Sequence, residues 1–189
     1  MSVLPEPLPQ KVHYGCGGNI LPGWLNLDGF DACYPWETVA PELKAQILRM
    51  DLAGRHPFPD DHFRFGFSEH FLEHLDQAES LVFLAECHRT FAPGGVLRLA
   101  FPGLRGVLQR HYRCSDFAGA AQGRHEAFTL WSHKHFYCEE SLTLVARHLG
   151  FSRADVVPTS RSEHPELRDR ELRNKPEQAA FNLVMELTK

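Results

Sequence analysis

A glycine-rich loop near the start of the chain has residue types and spacing suited to binding a nucleotide-like ligand. The apolar run KVHY (11–14) leads into GCGG (15–18), and the next apolar run, WLNLD (24–28), ends at Asp28. Glycine has no Cβ, so the backbone can take a positive φ and a ligand can approach it closely. The residues between the two runs are too few for a helix of the usual ~11 residues. The spacing predicts a binding loop between two strands, with at most one helical turn.

A dinucleotide-binding loop is one interpretation of these glycines, and two positions argue against it. The G-x-G-x-x-G pattern needs glycine at position 20, where the chain has Ile20, and an acid ~20 residues further on, whereas Asp28 comes much sooner. A pyrophosphate also needs the N-terminus of a helix, which this loop does not offer. The pattern therefore disfavours an NAD-dependent oxidoreductase.

Histidines in two later segments are the candidates for acid–base chemistry. The chain has twelve histidines, among them His70 in SEHFLEH (68–74) and His133 and His135 in WSHKHFY (131–137). An imidazole takes up and releases protons near neutral pH. We therefore predict His70, His133 and His135 as the catalytic residues.

The same segments leave a metal site open as the weaker alternative. His133 and His135 alternate along the chain and would face the same way on an extended segment, where Glu69 or Glu73 could join them. An H-x-H pair without a third placed ligand is a weak indication of a metal. His74 is more simply explained by a hydrogen bond that anchors its helix. We therefore predict no metal site.

Composition and charge narrow the class of protein. The 189 residues, 43% hydrophobic and 23% charged, fit one globular domain at 11–189, preceded by a flexible proline-rich arm at 1–10. A net charge of -4 does not supply the dense Lys and Arg that bind nucleic acids or anionic membranes. No apolar run reaches 18 residues and the first residues lack a signal-peptide pattern, so we expect a cytoplasmic protein without nucleic-acid or membrane partners. Five cysteines without a C-x-x-C pair predict reduced thiols: Cys16, Cys33, Cys87, Cys114 and Cys138.

Strand patterns and helix patterns alternate along the chain. Two helices carry the strongest signals, one over 76–95 with Asp76 as its cap and PGG (93–95) as its stop, and one over 139–150. A weaker helix is predicted at 41–48. Apolar spacing predicts an inward face in each strong helix: Leu81, Leu84, Cys87, His88 and Phe91 in the first, and Leu142, Val145, Ala146 and Leu149 in the second. The predicted strands are 11–14, 24–28, 47–52, 62–68, 96–102, 151–157 and 179–187.

This alternation predicts an α/β fold with a mostly parallel sheet of about seven strands, helices on both faces and ligands at the carboxyl ends of the strands. The charged stretch SRSEHPELRDRELRNKPE (160–177) is interpreted as a solvated loop or short helix.

Four blocks in collinear order resemble the class I S-adenosylmethionine (SAM) dependent methyltransferases, in particular small bacterial predicted methyltransferases with a shortened first helix. The blocks are VHYGCGGNILPGWLNLD, MDLAGRHPFPDDHFRFGFSEHFLEHL, FLAECHRTFAPGGVLRLAFPGL and HKHFYCEESLTLVARHLGF. The glycine loop alone would be a weak signal, whereas four blocks in order are specific. The resemblance covers roughly residues 11 to 157 and implies a Rossmann-like sheet with SAM as the cofactor.

The resemblance also implies roles for individual residues. Gly15 and Gly17 let the backbone pass close to the methionine part of SAM, Asp28 accepts the ribose hydroxyls, and Asp51 with Leu52 reads the adenine. The full set of predicted cofactor-binding residues is Tyr14, Gly15, Cys16, Gly17, Asp28, Asp51, Leu52, Ser68 and Glu69.

Two functions of different class remain open at this point. The first is an active methyltransferase that acts on a small molecule or a sugar. The second is a SAM-binding or scaffold protein of the same fold that has lost turnover. Binding of SAM combined with a methyl-transfer screen would separate them.

Overall fold

The computed structural model describes residues 4–29, 35–112 and 115–189 and has one β-sheet at its centre. Its strands are β1 (Lys11–Tyr14), β2 (Leu25–Asp28), β3 (Ile47–Arg49), β4 (Phe63–Glu69), β5 (Phe91–Pro102), β6 (Arg153–Val156) and β7 (Asn182–Thr188). Among the described residues the sheet has seven strands in the order β3-β2-β1-β4-β5-β7-β6. All neighbouring strands pair in parallel except β7, which is antiparallel to β5 and β6. The predicted mostly parallel α/β sheet is confirmed.

The end of β3 differs from the prediction. The strand stops at Arg49, whereas the sequence predicted a strand through Leu52. The carboxylate of Asp51 accepts a hydrogen bond from the N–H of Ala53 at 2.9 Å, a local turn that competes with strand pairing. Asp51 and Leu52 therefore belong to the loop beyond the strand.

The helices are α1 (Pro41–Lys44), α2 (Gln77–Thr90), α3 (Leu104–His111), α4 (Phe117–Ala127), α5 (Glu139–Leu149) and α6 (Pro176–Ala179), with 3-10 turns at Trp36–Thr38, Leu72–His74, Thr129–Trp131 and Pro165–Leu167. The predicted capping box of α2 is present, because Asp76 and Glu79 exchange side-chain to backbone hydrogen bonds, both 2.8 Å long. The helix nevertheless ends before the predicted PGG stop. A proline disfavours helical backbone angles in the residue before it, which here is Ala92. Phe91 already pairs with β4.

One face of the sheet, which we call the helix-covered face, packs against α2 and α5. Leu97 and Leu99 of β5 lie in one apolar cluster with Leu84, Leu142 and other residues of these helices. The inward face predicted for α5 is confirmed, and that of α2 is partly wrong. Leu81 is 36% exposed, whereas Phe83 is fully buried, because the buried stripe of α2 follows positions 80, 83, 84 and 87 at helical spacing.

The opposite face, which we call the polar face, holds a fully buried arginine. The guanidinium of Arg98 on β5 donates to the carboxylates of Glu171 at 2.5 Å and Glu186 at 2.7 Å, and to the backbone oxygens of Arg161 and Pro158. These partners come largely from residues 158–173, which we call the cover segment.

The cover segment corrects the interpretation of 160–177 as a solvated stretch. Leu167 and Glu171 are 0% and 2% exposed, and Leu167 packs with Trp24 and Phe67. The many charged residues of this stretch are typical of an exposed segment, although one of its carboxylates and one of its leucines are buried.

The remaining described parts add few constraints. Leu4 and Leu8 of the N-terminal arm pack against the core.

The thiols of Cys16, Cys87 and Cys138 are free, and burial raises the pKa of the first two. Cys33 and Cys114 lie outside the described residues. Among the described helices, none is long and apolar enough to cross a membrane.

Candidate functional site

The glycine loop between β1 and β2 contains no helix and is closed by backbone and carboxylate contacts. Gly15 has φ of 62° and Gly17 has φ of 49°, a region that L side chains rarely adopt. A Cβ on Gly15 would also lie 2.5 Å from the Cβ of Phe71. The N–H of Gly17 donates to Asp28 Oδ2 at 2.7 Å. The carboxylate at the end of β2 thus holds the loop against the strand.

Asn26 holds the second half of this loop, where related folds would have a helix. Its amide donates to the oxygens of Leu21 and Trp24, both at 3.2 Å, and its Oδ1 accepts from the N–H of Leu21 at 3.0 Å. One buried amide therefore satisfies backbone groups that helical hydrogen bonds would otherwise use. Sequence reasoning missed Asn26, although an amide inside an apolar strand is a readable signal of a buried partner.

A cavity of about 930 Å³ opens beside the glycine loop. It lies at the carboxyl ends of the parallel strands, where ligands bind in open α/β sheets. The predicted residues on its wall are Gly15, Cys16, Gly17, Asp28, Asp51, Leu52, Glu69 and His70. The same cavity is lined by Arg49, Met50, Phe71, His74, Lys134, Leu172 and Arg173, among others.

Four predicted site residues are not on the wall of this cavity. Tyr14 and Ser68 are buried in the core, and the ring of Tyr14 packs edge-on against Phe83. His135 packs edge-on against Tyr137, with ring centroids 4.6 Å apart. His133 lies next to a second, more open pocket of about 730 Å³, which also reaches Lys134.

Glu69 has a role that its strand-end position did not reveal. Its carboxylate accepts hydrogen bonds from the backbone N–H of Leu172 at 3.1 Å and of Arg173 at 2.9 Å. Both of these residues line the cavity. Glu69 therefore attaches the end of the cover segment to the edge of the site.

A buried carboxylate lies among three histidines at the far end of the cavity. The side chain of Glu73 is 0% exposed, and its Oε1 lies 3.2 Å from His70 Nδ1 and 4.0 Å from His133 Nε2. The ring of His74 meets that of His133 at a centroid distance of 5.0 Å. The other ring nitrogen of His70, Nε2, lies 3.1 Å from Asn182 Oδ1. The sequence pattern groups His133 with His135, whereas the structure places the ring of His74 beside His133 and that of His135 against Tyr137.

The charges of this cluster influence one another. Burial raises the pKa of Glu73, but the hydrogen bond with His70 and the charges of His70 and His74 outweigh it, so the pKa lies below its ordinary value. Burial lowers the pKa of His133, against the opposing effect of Glu73. Lys134, next along the chain, forms an ion pair with Glu79 at 2.8 Å.

Residues 12–99 match the family model described as a methyltransferase domain. No curated protein matches the sequence significantly.

Solved structures of similar fold include a SAM-dependent methyltransferase from Thermotoga maritima, described as a possible histamine N-methyltransferase. It has a TM-score of 0.60 at 19% identity, covering 95% of this chain and 81% of that one. A SAM-dependent methyltransferase from Mesorhizobium loti has a TM-score of 0.59 at 17% identity, covering 95% and 90%. A putative methyltransferase from Haloferax volcanii, solved with the Trm112 methyltransferase activator, has a TM-score of 0.59 at 16% identity, covering 94% and 81%.

Proposed function

We propose that this chain is a SAM-dependent methyltransferase that transfers the methyl group to a small polar molecule or a sugar. A methyltransferase domain model matches residues 12–99, and solved SAM-dependent methyltransferases share the fold. The observation that carries the proposal is that one cavity is lined both by the glycine loop with Asp28 and Asp51 and by His70 and Lys134. A cofactor and an acceptor can therefore meet inside a single space of about 930 Å³, within the usual range for small-molecule sites.

The side chains on the cavity wall fit the chemistry of SAM. The carboxylate of Asp28 offers acceptors for ribose hydroxyls, and that of Asp51 offers one for an adenine amino group. Leu52 and Met50 supply apolar surface for the adenine ring. The glycine loop lets the amino-acid end of the cofactor approach the backbone closely.

The cavity wall also suits a small polar acceptor. His70, Glu79, Lys134 and Arg173 are among the residues that line it, so groups of both charges are available to hydroxyls and amino groups of a ligand. The cover segment closes one side, because Glu69 holds Leu172 and Arg173 at the wall. This geometry favours a compact acceptor over a polymer.

The chain contributes chiefly alignment to the reaction. SAM supplies a methyl group that its sulfonium has already activated, so the protein must bring the nucleophile into line with it. Of the three predicted catalytic histidines, His70 lies on the cavity wall, and because its ring nitrogens contact Glu73 and Asn182 we assign to it the positioning of Glu73. We leave Tyr14, Ser68 and His135 out of the proposed site because they pack away from the cavity.

The experiment compares Asp28→Ala and Asp28→Asn with the parent protein by titration calorimetry with S-adenosylhomocysteine. Losing hydrogen bonds to a charged acceptor costs about 1.5 to 3 kcal/mol, so Asp28→Ala should bind roughly 10-fold to 150-fold more weakly. Asp28→Asn keeps an oxygen for the Gly17 N–H and should retain the loop while losing part of the affinity.

A screen of small hydroxyl and amino acceptors, read out as formation of S-adenosylhomocysteine, tests the transfer itself. Turnover with a small acceptor that falls in Asp28→Ala supports the proposal. Absence of cofactor binding by the parent protein would reject it, and binding without any turnover would favour the scaffold alternative.

A further inference from the structure

Three side chains that the sequence did not group converge between the two pockets. Glu73 and His74 belong to the turn Leu72–His74, and His133 belongs to the loop before α5. One ligand atom from each lies within 4.8 Å of the other two. The prediction of no metal site rested on the lack of a third placed ligand, and the fold supplies one.

The backbone holds the two segments together without help from a ligand. The N–H of Lys134 donates to the carbonyl oxygen of Glu73 at 2.8 Å. The Nδ1 of His133 lies 2.8 Å from the carbonyl oxygen of Ala127. Because a carbonyl only accepts, Nδ1 carries the proton, and the lone pair of His133 is on Nε2, the atom nearest Glu73. Histidines that bind metals are usually oriented by such a contact of their other nitrogen.

Three polar atoms of the cluster are buried without a hydrogen-bond partner that meets full geometric criteria in the described part of the chain. They are Oε1 and Oε2 of Glu73 and Nδ1 of His74. A buried polar group without a partner costs free energy, so native proteins rarely leave such atoms unsatisfied. A bound cation would satisfy the carboxylate oxygen and one histidine nitrogen at once.

We propose that Glu73, His74 and His133 bind one divalent transition-metal ion, with zinc the best match to their chemistry. Two imidazoles and one carboxylate are a ligand set of zinc sites that keep a position open for water or substrate. Bond lengths of about 2.0 to 2.2 Å in a tetrahedral site put two ligand atoms roughly 3.4 Å apart. The side chains of the cluster therefore need to move together by about 1 Å to close on an ion. His70, 3.2 Å from Glu73, is a positioning residue for the carboxylate.

The location suggests what the ion does, and this step rests on the proposed function. His74 lines the main cavity and His133 lines the second pocket, so an ion held by both lies between the two pockets. A hydroxyl bound there loses its proton to solvent more readily, because the cation stabilises the oxyanion. That oxygen then forms the bond to the methyl carbon as the carbon–sulfur bond of the sulfonium breaks, leaving a neutral thioether.

The test uses full-length protein without an affinity tag, stripped with a chelator and titrated with Zn²⁺ by calorimetry. Co²⁺ replaces Zn²⁺ in a second titration followed by visible absorption, which reports coordination by nitrogen and oxygen and reveals any thiolate ligand. The matched variants are His133→Asn and His135→Asn, which change the two histidines of one H-x-H pair. Glu73→Gln serves as the second variant, and circular dichroism checks that each protein is folded.

We expect one Zn²⁺ per chain, a Co²⁺ spectrum without a sulfur charge-transfer band, affinity at least ~10-fold lower in His133→Asn, and near-parental affinity in His135→Asn. Absence of stoichiometric binding by the parent, or equal losses in both histidine variants, would overturn the proposal in favour of a plain hydrogen-bonded cluster. Binding of S-adenosylhomocysteine, measured separately without metal, tells whether the proposed function or the metal site has failed.

Discussion

The two faces of the sheet are stabilised by opposite means. On the helix-covered face, α2 and α5 bury leucines, phenylalanines and a cysteine in one apolar cluster. On the polar face, the cover segment, mostly irregular in structure, packs over a buried arginine that binds two carboxylates and two backbone oxygens. Apolar burial is non-directional, whereas a buried ion network depends on every partner being present. The two faces should therefore respond differently to single substitutions.

The largest effect is expected from Arg98→Met on the polar face. The substitution leaves Glu171 and Glu186 buried without their partner, which costs about 3 to 5 kcal/mol of the free energy of unfolding. Chemical denaturation measures this directly. The triple variant Arg98→Met, Glu171→Leu, Glu186→Leu removes all the charges and should recover most of the loss. A single variant that loses less than about 1 kcal/mol would show that the network is not a source of stability.

A somewhat smaller effect is expected on the helix-covered face. Leu84→Ala removes a fully buried side chain of α2 and should cost about 2 to 4 kcal/mol through lost burial and a cavity. Leu81→Ala on the same helix is the matched control, because Leu81 is 36% exposed, and its cost should stay within about 1 kcal/mol. Thermal or chemical denaturation of the pair checks this. Equal losses would mean that the sequence-predicted inward face of α2, with Leu81 on it, is correct after all.

The contrast between the faces explains what the sequence could and could not predict. The inward face of α5 follows from periodicity, whereas the cap of α2 at Asp76 and the glycine loop follow from local residue types. The polar face depends on contacts between residues far apart in the sequence, such as Arg98 with Glu171. A charged side chain that is buried by a distant segment looks like any surface charge in the sequence.

The candidate site shows the same difference between residues with local sequence signals and residues grouped by long-range contacts. Glycines and strand-end acids have local signals, and the predicted residues from Gly15 to Leu52 lie on the cavity wall. The grouping of His74 with Glu73 and His133 depends on how the loop before α5 packs on the turn at Leu72–His74. No spacing rule along the chain indicates that His133 faces this turn while His135 packs on Tyr137.

Glu69→Gln should loosen the polar face at the edge of the site. The carboxylate accepts two backbone N–H groups of the cover segment, and an amide can replace only one of these acceptors, at a cost of about 1 to 2 kcal/mol. Amide hydrogen exchange should therefore become faster at Leu172 and Arg173, while exchange in α2 stays unchanged. Unchanged protection at both residues would show that the cover segment is held by the Arg98 network alone.

The smallest effect is the pH dependence of stability that His13 contributes on the polar face. His13 is 1% exposed, and burial lowers its pKa to about 4, against the opposing effect of hydrogen bonds to the Asn26 side chain and the Asn19 backbone. The unfolded chain binds a proton at this histidine near pH 6.5, so between pH 6.5 and pH 4 it binds more protons than the folded chain. The contribution of His13 to stability is therefore complete above pH 6.5 and is lost as the pH falls towards 4.

Between pH 6.5 and pH 5.5 the free energy of unfolding of the parent should fall by about 1 kcal/mol more than that of His13→Gln, measured by urea denaturation at each pH. Other titrating groups, including His56 with its lowered pKa, are common to both proteins and cancel in the difference. Parallel pH profiles of the two proteins would mean that His13 takes up its proton in the folded state, and that the polar face tolerates a further buried cation.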